Sequence, residues 1–236
     1  MLGENFFGRL LAPVFVAACV AAPLASEAQS PAAPPTYARG DAWTYREIDG
    51  YGQRRELERW IAEVTEAGPG GNVISVRAAT RGEADERRMQ AAGAISAGRI
   101  STQVPSGTFT PPLQRYPATI APGQRWSQET LRSDPSVGGT RAMRVEGRVI
   151  GWEKVRVPAG EFDALRIERT LYLGDAGRYR TQTRRYETEW YSPAVKGPVK
   201  LQVWEQWSDP TITRMLQHIQ TNNRELYELV EFRRVG

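Results

Sequence analysis

The 236-residue sequence is poor in the side chains that carry most catalysis, with one cysteine, Cys19, and one histidine, His218. A serine protease-like triad would need His218 as its base, but no G-x-S-x-G turn or comparable nucleophile turn accompanies it. One histidine among scattered carboxylates forms no metal-ligand cluster, and no D-x-D-x-D calcium loop occurs. We therefore expect no catalytic residue, no metal and no cofactor, and predict that the protein is not an enzyme.

Charge of one sign is not concentrated anywhere in the chain. It carries 31 Lys and Arg against 27 Asp and Glu, a net charge of +4. Basic residues alternate with acidic and aromatic ones, as in residues 184–187 (RRYE). This pattern is typical of a solvated strand face, so we expect no nucleic-acid partner.

Long hydrophobic runs are also missing. The run at residues 10–24 is broken by Pro13 and Pro23, and it is shorter than the roughly 20 residues that a spanning helix needs. Arg9 precedes it and small residues end it at Ala28, which is typical of a cleaved signal peptide. The sequence predicts a signal peptide at 1–28, no transmembrane span and export to the periplasm.

Cys19 leaves a second route of processing open. Residues 16–19 (VAAC) resemble a bacterial lipobox, in which cleavage before the cysteine leaves it as a lipid anchor. The apolar run continues beyond Cys19, however, whereas lipoproteins usually begin with small polar residues. Cleavage after Ala28 is favoured, with anchoring through Cys19 as the alternative. In either case, Pro and Ala in residues 29–40 predict an extended tether.

Strand patterns dominate residues 41–236, which we predict to form a single antiparallel domain. In residues 155–167 (VRVPAGEFDALRI), Val155 and Val157 alternate with charged residues, and the alternation resumes after the turn. The Pro-Ala-Gly sequence predicts a three-residue loop with Gly160 at positive φ. The same alternation predicts further strands at residues 43–48, 57–64, 72–79, 143–157, 199–207 and 226–232.

Two segments share an opening pattern. Residues 40–47 (GDAWTYRE) and 123–129 (GQRWSQE) both place Gly before a strand and Trp at the same offset. This repetition predicts two pseudo-halves, about 41–120 and 121–236. Two further segments remain open: residues 85–100 fit a helix interrupted by glycines or a strand, and residues 212–220 fit a helix or, as we favour, a strand.

The segments at 40–45 and 157–162, together with residues 190–193 (WYSP), resemble a group of exported bacterial β-sheet proteins of unknown function. The resemblance implies a half-barrel similar to that of lipoprotein-carrier and outer-membrane lipoprotein-receptor proteins, and it implies no catalytic residue. We therefore predict a mainly all-β fold in which one strongly curved antiparallel sheet forms a half-barrel, with at most one or two short helices.

The aromatic residues offer the remaining lead to function. Four of the seven tryptophans are candidate ligand-binding residues on the concave face: Trp43, Trp126, Trp190 and Trp204. Glu187 and Glu189 share a strand face, which would suit a glycosidase pair, although ion pairing with arginines on neighbouring strands explains them better. We predict a non-enzymatic exported binding module for an apolar or amphipathic ligand such as a lipid. The alternative is a protein that contacts another cell-envelope protein.

Overall fold

A computed structural model describes residues 30–52, 54–100, 105–134, 138–176, 179–211 and 219–235. The predicted signal peptide, Cys19 and His218 lie outside these residues. Within them the chain forms twelve strands and one short 3₁₀ turn, Ala91–Gly93. The strands are β1 Ala42–Asp49, β2 Glu56–Gly68, β3 Gly71–Ala78, β4 Ala84–Met89, β5 Ile95–Gly98, β6 Gly107–Leu113, β7 Arg125–Asp134, β8 Gly139–Val157, β9 Gly160–Tyr172, β10 Thr181–Ser192, β11 Gly197–Ser208 and β12 Ile219–Arg233.

The strands form a closed barrel. Each strand pairs antiparallel with its sequence neighbours, and β1 pairs with both β2 and β12, in the register Ala42↔Glu63 and Ala42↔Arg233. The all-β class and the strongly curved antiparallel sheet are confirmed. The curvature goes further than the predicted half-barrel, because twelve strands that each add right-handed twist bring the first and last edges into hydrogen-bonding distance.

The two segments with a shared opening pattern form the same turn. Gly40 has φ +90° and Gly123 has φ +83°, and each glycine precedes the first residue of a strand by two positions. The Gly40 N–H donates to the Val64 carbonyl at 2.8 Å, and the Gly123 N–H donates to the Val149 carbonyl at 2.9 Å. The shared sequence pattern therefore corresponds to a shared turn geometry before β1 and β7, while the division into two pseudo-halves stays a prediction.

Residues 30–40, the described part of the tether predicted at 29–40, lie against the barrel. Ala32 and Ile120 exchange two backbone hydrogen bonds of 2.9 Å each. The Tyr191 hydroxyl donates to the Ala33 carbonyl at 3.0 Å, and the Tyr37 ring packs edge-on against Trp43. These contacts hold the proline-rich segment on the barrel wall.

The helical interpretation of residues 85–100 is wrong. These residues form most of β4, the 3₁₀ turn and β5. Gly93 and Gly98 adopt φ +70° and +137°, conformations that a helix does not contain. Of the segment at 212–220, residues 219 and 220 begin β12 as a strand, whereas 212–218 lie outside the described residues.

The β8–β9 hairpin is confirmed, with a tighter loop than predicted. Val157 pairs with Gly160, so the loop holds two residues instead of three. Gly160 has φ +135°, which confirms the predicted positive φ. A register shift between Val149 and Gly151 interrupts the regular pairing of β8 with β9. The hairpin tip then reaches β12, where the Ala159 N–H donates to the Leu229 carbonyl at 3.1 Å.

Substituting Gly160→Val is expected to lower the free energy of unfolding by about 1 to 3 kcal/mol, because a β-branched residue is strained at positive φ. Chemical denaturation of the purified variant measures this. Gly139→Val is the matched control, because Gly139 lies in β8, the other strand of the hairpin, with open space around its Cβ position and no positive φ. An unfolding midpoint equal to that of the wild type would contradict the role given to this turn.

Two hydrophobic clusters fill the barrel. The larger draws on most strands and includes Val64, Met143, Leu171 and Leu229. The smaller joins the N-terminal segment to the wall through contacts that include Ala32, Ile120, Ile167 and Tyr191. Between positions 30 and 235, the described helical residues include no segment long and apolar enough to cross a membrane.

Candidate functional site

The inward row of β10 is unusually polar for a barrel interior. Every second residue is buried along the row Thr183, Arg185, Glu187, Glu189 and Tyr191. Strand alternation sends these side chains to one face, so one arginine and two glutamates enter a space that the hydrophobic clusters otherwise fill. Buried charges require partners, and the neighbouring strands supply them.

Arg169 of β9 joins the two glutamates. Its Nε donates to Glu187 Oε2 at 3.1 Å, and its Nη2 forms a short ion pair with Glu189 Oε2. Arg115, from the loop after β6, contacts both carboxylates at 2.9 and 3.2 Å. The Tyr116 hydroxyl donates to Glu189 Oε1 at 2.5 Å. Both carboxylates therefore have several donors, and the predicted pairing with arginines is confirmed.

The network continues towards β11 and β12 through Arg185. Its Nε donates to Glu187 Oε1 and its Nη1 donates to Glu205 Oε1, each at 2.9 Å. A further ion pair reaches Glu225 of β12 at 3.9 Å. Arg180 pairs with Glu205 and stacks over Trp207, with 4.3 Å to the ring centroid. Hereafter, the interior network means Arg115, Arg169, Arg180, Arg185, Glu187, Glu189 and Glu205.

The interior network sets the protonation of its carboxylates. Burial raises the pKa of Glu187, but the guanidiniums of Arg115, Arg169 and Arg185 outweigh burial and hold that pKa well below its usual value. Burial likewise raises the pKa of Glu189, and Arg169, Arg115 and the Tyr116 hydroxyl hold it below the usual value. Both glutamates are ionised at neutral pH and fully engaged, so neither is poised as the general acid of a glycosidase pair.

A cavity of about 180 Å³ adjoins the interior network inside the barrel. Arg185 belongs to both, and the walls come from β1–β4 on one side and β10–β12 on the other. The lining is mainly apolar and aromatic, with charged residues at intervals: Tyr45, Trp60, Ala62, Val76, Glu83, Ala84, Asp85, Arg87, Arg99, Ile100, Arg185, Pro198, Leu201, Glu225 and Tyr227. This combination suits a small molecule with an apolar body and a polar end.

Hydrogen bonds hold the aromatic walls of the cavity in place. The Trp60 Nε1 donates to Glu47 Oε2 at 2.8 Å, and the Tyr45 hydroxyl donates to the Pro198 carbonyl at 2.9 Å. The second contact links β1 to the start of β11. Because the polar atoms of these rings already have partners, their apolar surfaces are left to face the cavity.

Two of the predicted tryptophans belong to the larger hydrophobic cluster. Trp43 is 4% exposed and its Nε1 donates to the Val195 carbonyl at 2.7 Å. Trp190 donates to Glu153 Oε2 at 2.7 Å, and the Lys200 ammonium lies 5.0 Å from its ring centroid. Neither residue lines the cavity described above.

The other two predicted tryptophans lie elsewhere on the barrel. Trp126 packs over Gly147, where a Cβ would meet the indole ring at 2.2 Å, and it borders the smaller cluster. Trp204 is 40% exposed and stacks on Tyr186 with 4.0 Å between ring centroids. The structure therefore does not bring the four predicted residues together.

Sequence reasoning missed the residues that line the cavity. Trp60, Arg87 and Arg99 each line it, yet none stands in a recognisable motif. The one available signal is Asp85, Arg87 and Met89 at alternate positions, which fits a strand with one inward face. Among the described residues, no group of three or more His, Cys, Asp or Glu side chains could hold a metal ion.

No protein-family model matches this sequence, and no curated protein matches it. Two solved structures resemble the fold. A candidate lipoprotein from Parabacteroides distasonis is 15% identical with a TM-score of 0.43, and the match covers 86% of this chain and 100% of that chain. A candidate exported protein with a YmcC-like fold from Bacteroides fragilis is 11% identical with a TM-score of 0.37 and the same coverage. At these TM-scores, neither likeness identifies a ligand or a functional residue for this chain.

Proposed function

We propose that this protein is a non-enzymatic, exported binding protein that holds a small apolar or amphipathic molecule inside its barrel. The observation that carries the proposal is the cavity of about 180 Å³, whose walls include Trp60, Val76 and Leu201. Side chains usually fill a barrel interior to crystal-like density, so an internal space with apolar walls is a feature to explain.

Two features of the chain support the other parts of this proposal. The pattern of Arg9, the apolar run at 10–24 and the small residues before Ala28 supports export to the periplasm. The carboxylates that could have served in hydrolysis, Glu187 and Glu189, are occupied by arginines, which supports binding without catalysis.

The alternative, a partner-binding envelope protein, is favoured by one surface feature. Trp204 is exposed and stacked on Tyr186, on the strands where Arg184 also lies near the Tyr172 ring. Exposed aromatics beside arginines are enriched at protein interfaces. This surface differs from the cavity, so the two functions make separate predictions.

The binding proposal predicts that an eight-carbon probe will change the fluorescence of Trp60. Titration of the processed protein with octanol and with octanoate, followed by calorimetry, measures the response and the affinity. Trp60→Phe should remove the fluorescence change while binding persists, because Phe keeps an aromatic wall. Trp204→Phe is the matched control and should keep the change, since Trp204 does not line the cavity. If calorimetry detects binding of neither probe, the proposed function is wrong.

A further inference from the structure

We propose that the molecule held in the cavity is an amphipathic anion, with its carboxylate or phosphate bound by Arg87 and Arg99 and its apolar part against Trp60, Val76 and Leu201. This inference rests on the proposed function and names the chemistry of its ligand. It depends on two arginines that line the cavity and whose guanidiniums have no hydrogen-bond or ion-pair partner among the described residues.

Arg87 enters the barrel from β4. Its Nε is buried without a hydrogen-bond partner, and no hydrogen bond or ion pair joins its guanidinium to any residue in the described ranges. This contrasts with Arg169 and Arg185, whose guanidiniums each contact two or more carboxylates. Burial lowers the pKa of Arg87, and with the nearby Arg115 and Arg185 it outweighs the opposing effect of Asp85 and Glu187.

Arg99 lines the same cavity one residue after β5. Its Nε is also buried without a partner, and within the described part of the chain its side chain makes no ion pair. The stem of Arg87 packs against Gly98, the residue before Arg99, where a Cβ would lie 3.0 Å from Arg87 Cγ.

Among the described residues, no carboxylate of the cavity lining forms an ion pair with Arg87 or Arg99. Asp85 accepts hydrogen bonds from the Arg99 backbone N–H at 3.0 Å and the Ser106 hydroxyl at 2.9 Å. Glu225 accepts from the Tyr227 hydroxyl at 3.1 Å and lies 3.9 Å from Arg185. Glu83 is exposed to solvent. An anion that enters the cavity would therefore supply what Arg87 and Arg99 lack.

A guanidinium suits this role because its planar fork of donors matches both oxygens of a carboxylate or two oxygens of a phosphate. The apolar walls exclude water around the bound anion, which strengthens each charge-assisted hydrogen bond. The tail of the ligand would then bury its surface against aromatic and aliphatic side chains, which favours an amphipathic anion over a free inorganic ion.

An arginine whose charge is paired only by a ligand should lower the stability of the ligand-free protein. Arg87 is partly buried and has no ion pair among the described residues, so its removal relieves a desolvation cost. Arg87→Met should therefore raise the unfolding midpoint of the ligand-free protein by about 2 °C or more. If Arg87 has only a structural role, Arg87→Met should instead lower the unfolding midpoint. Arg88→Met is the matched control, because Arg88 lies next on the same strand, is exposed and pairs with Glu86. The control should leave the midpoint unchanged.

The binding test compares octanoate, octyl phosphate and octanol by calorimetry. The wild type should bind at least one of the two anions about ten-fold or more tightly than octanol, the range that charge-assisted hydrogen bonds give. Arg87→Met should remove that preference, Arg87→Lys should keep part of it, and Arg88→Met should keep it whole. The preferred anion distinguishes a carboxylate ligand from a phosphate ligand.

The outcomes separate this inference from the proposed function. If octanol binds as tightly as both anions, or if Arg87→Met keeps the full preference for the anion, the inference is wrong and the binding function stands. If none of the three probes binds, both are wrong. A fall in the unfolding midpoint of Arg87→Met would show that Arg87 is structural and would likewise overturn the inference.

Discussion

Replacing Arg169 with methionine is expected to lower the free energy of unfolding by about 3–5 kcal/mol. Arg169 is 2% exposed and compensates Glu187 and Glu189 together. Methionine keeps much of the apolar volume of the arginine side chain, so the substitution leaves no large cavity. The loss of stability therefore comes from the two carboxylates, which are left with fewer donors. Urea denaturation at pH 7, followed by tryptophan fluorescence and circular dichroism, measures the change.

Two variants show whether burial is the cause. Arg148→Met breaks an ion pair with Glu168 in which the arginine side chain is 50% exposed, and it should cost about 1 kcal/mol or less. The double variant Arg169→Met/Glu189→Gln should regain part of the loss, because a neutral amide tolerates burial better than an uncompensated carboxylate. If Arg169→Met lowers the free energy of unfolding by less than about 1 kcal/mol, the interior network does not stabilise the fold as we infer.

Acid should destabilise the protein steeply. The pKa values of Glu187 and Glu189 are lowered in the folded state, so their stabilising contribution is complete above the unfolded value of about 4.3 and is lost as pH falls towards the folded values. Below about pH 4, unfolding takes up one proton for each of these carboxylates. The free energy of unfolding should then fall by about 1.4 kcal/mol per pH unit for each, measured by urea denaturation at a series of pH values.

Glu187→Gln gives a direct check on this assignment. The variant cannot take up the proton, so its stability should fall with acid less steeply than that of the wild type by about 1.4 kcal/mol per pH unit. A carboxyl ¹³C NMR titration of the folded wild type provides a second measurement that needs no variant. Titration of Glu187 at an ordinary glutamate pKa would contradict the depressed value.

Strand alternation allowed much of the fold to be predicted from the sequence. Val155 and Val157 are buried and Gly160 adopts positive φ, because side-chain period and turn chemistry are local properties. Closure of the barrel is not local, since it depends on twist accumulated over all strands. The sequence did not distinguish a helix from a strand at residues 85–100. The strands there are short and β4 has charged side chains on its inward face, so the apolar alternation that usually reveals a strand is missing.

The interior network was partly accessible from the sequence, whereas the cavity was not. Glu187 and Glu189 share a face because they are two residues apart, and the arginine-rich neighbouring strands suggest their partners. Trp60, Arg87 and Leu201 meet only through the register of separate strands and the closure of the barrel. Their individual residue types are equally compatible with a solvated strand face, so nothing in the sequence distinguishes them.

The pairing of β1 with β12 has a consequence for the order in which this protein can fold. The two strands stand at opposite ends of the described chain, and the cavity draws Tyr45 and Trp60 from one end and Leu201 and Tyr227 from the other. Contacts of such long sequence separation form slowly, because their loop-closure entropy is lost before they contribute stability. Until β12 docks, β1 and β11 are open edges that invite pairing with other chains. The cavity is therefore completed only when the last strand docks, and until then the chain exposes unpaired strand edges.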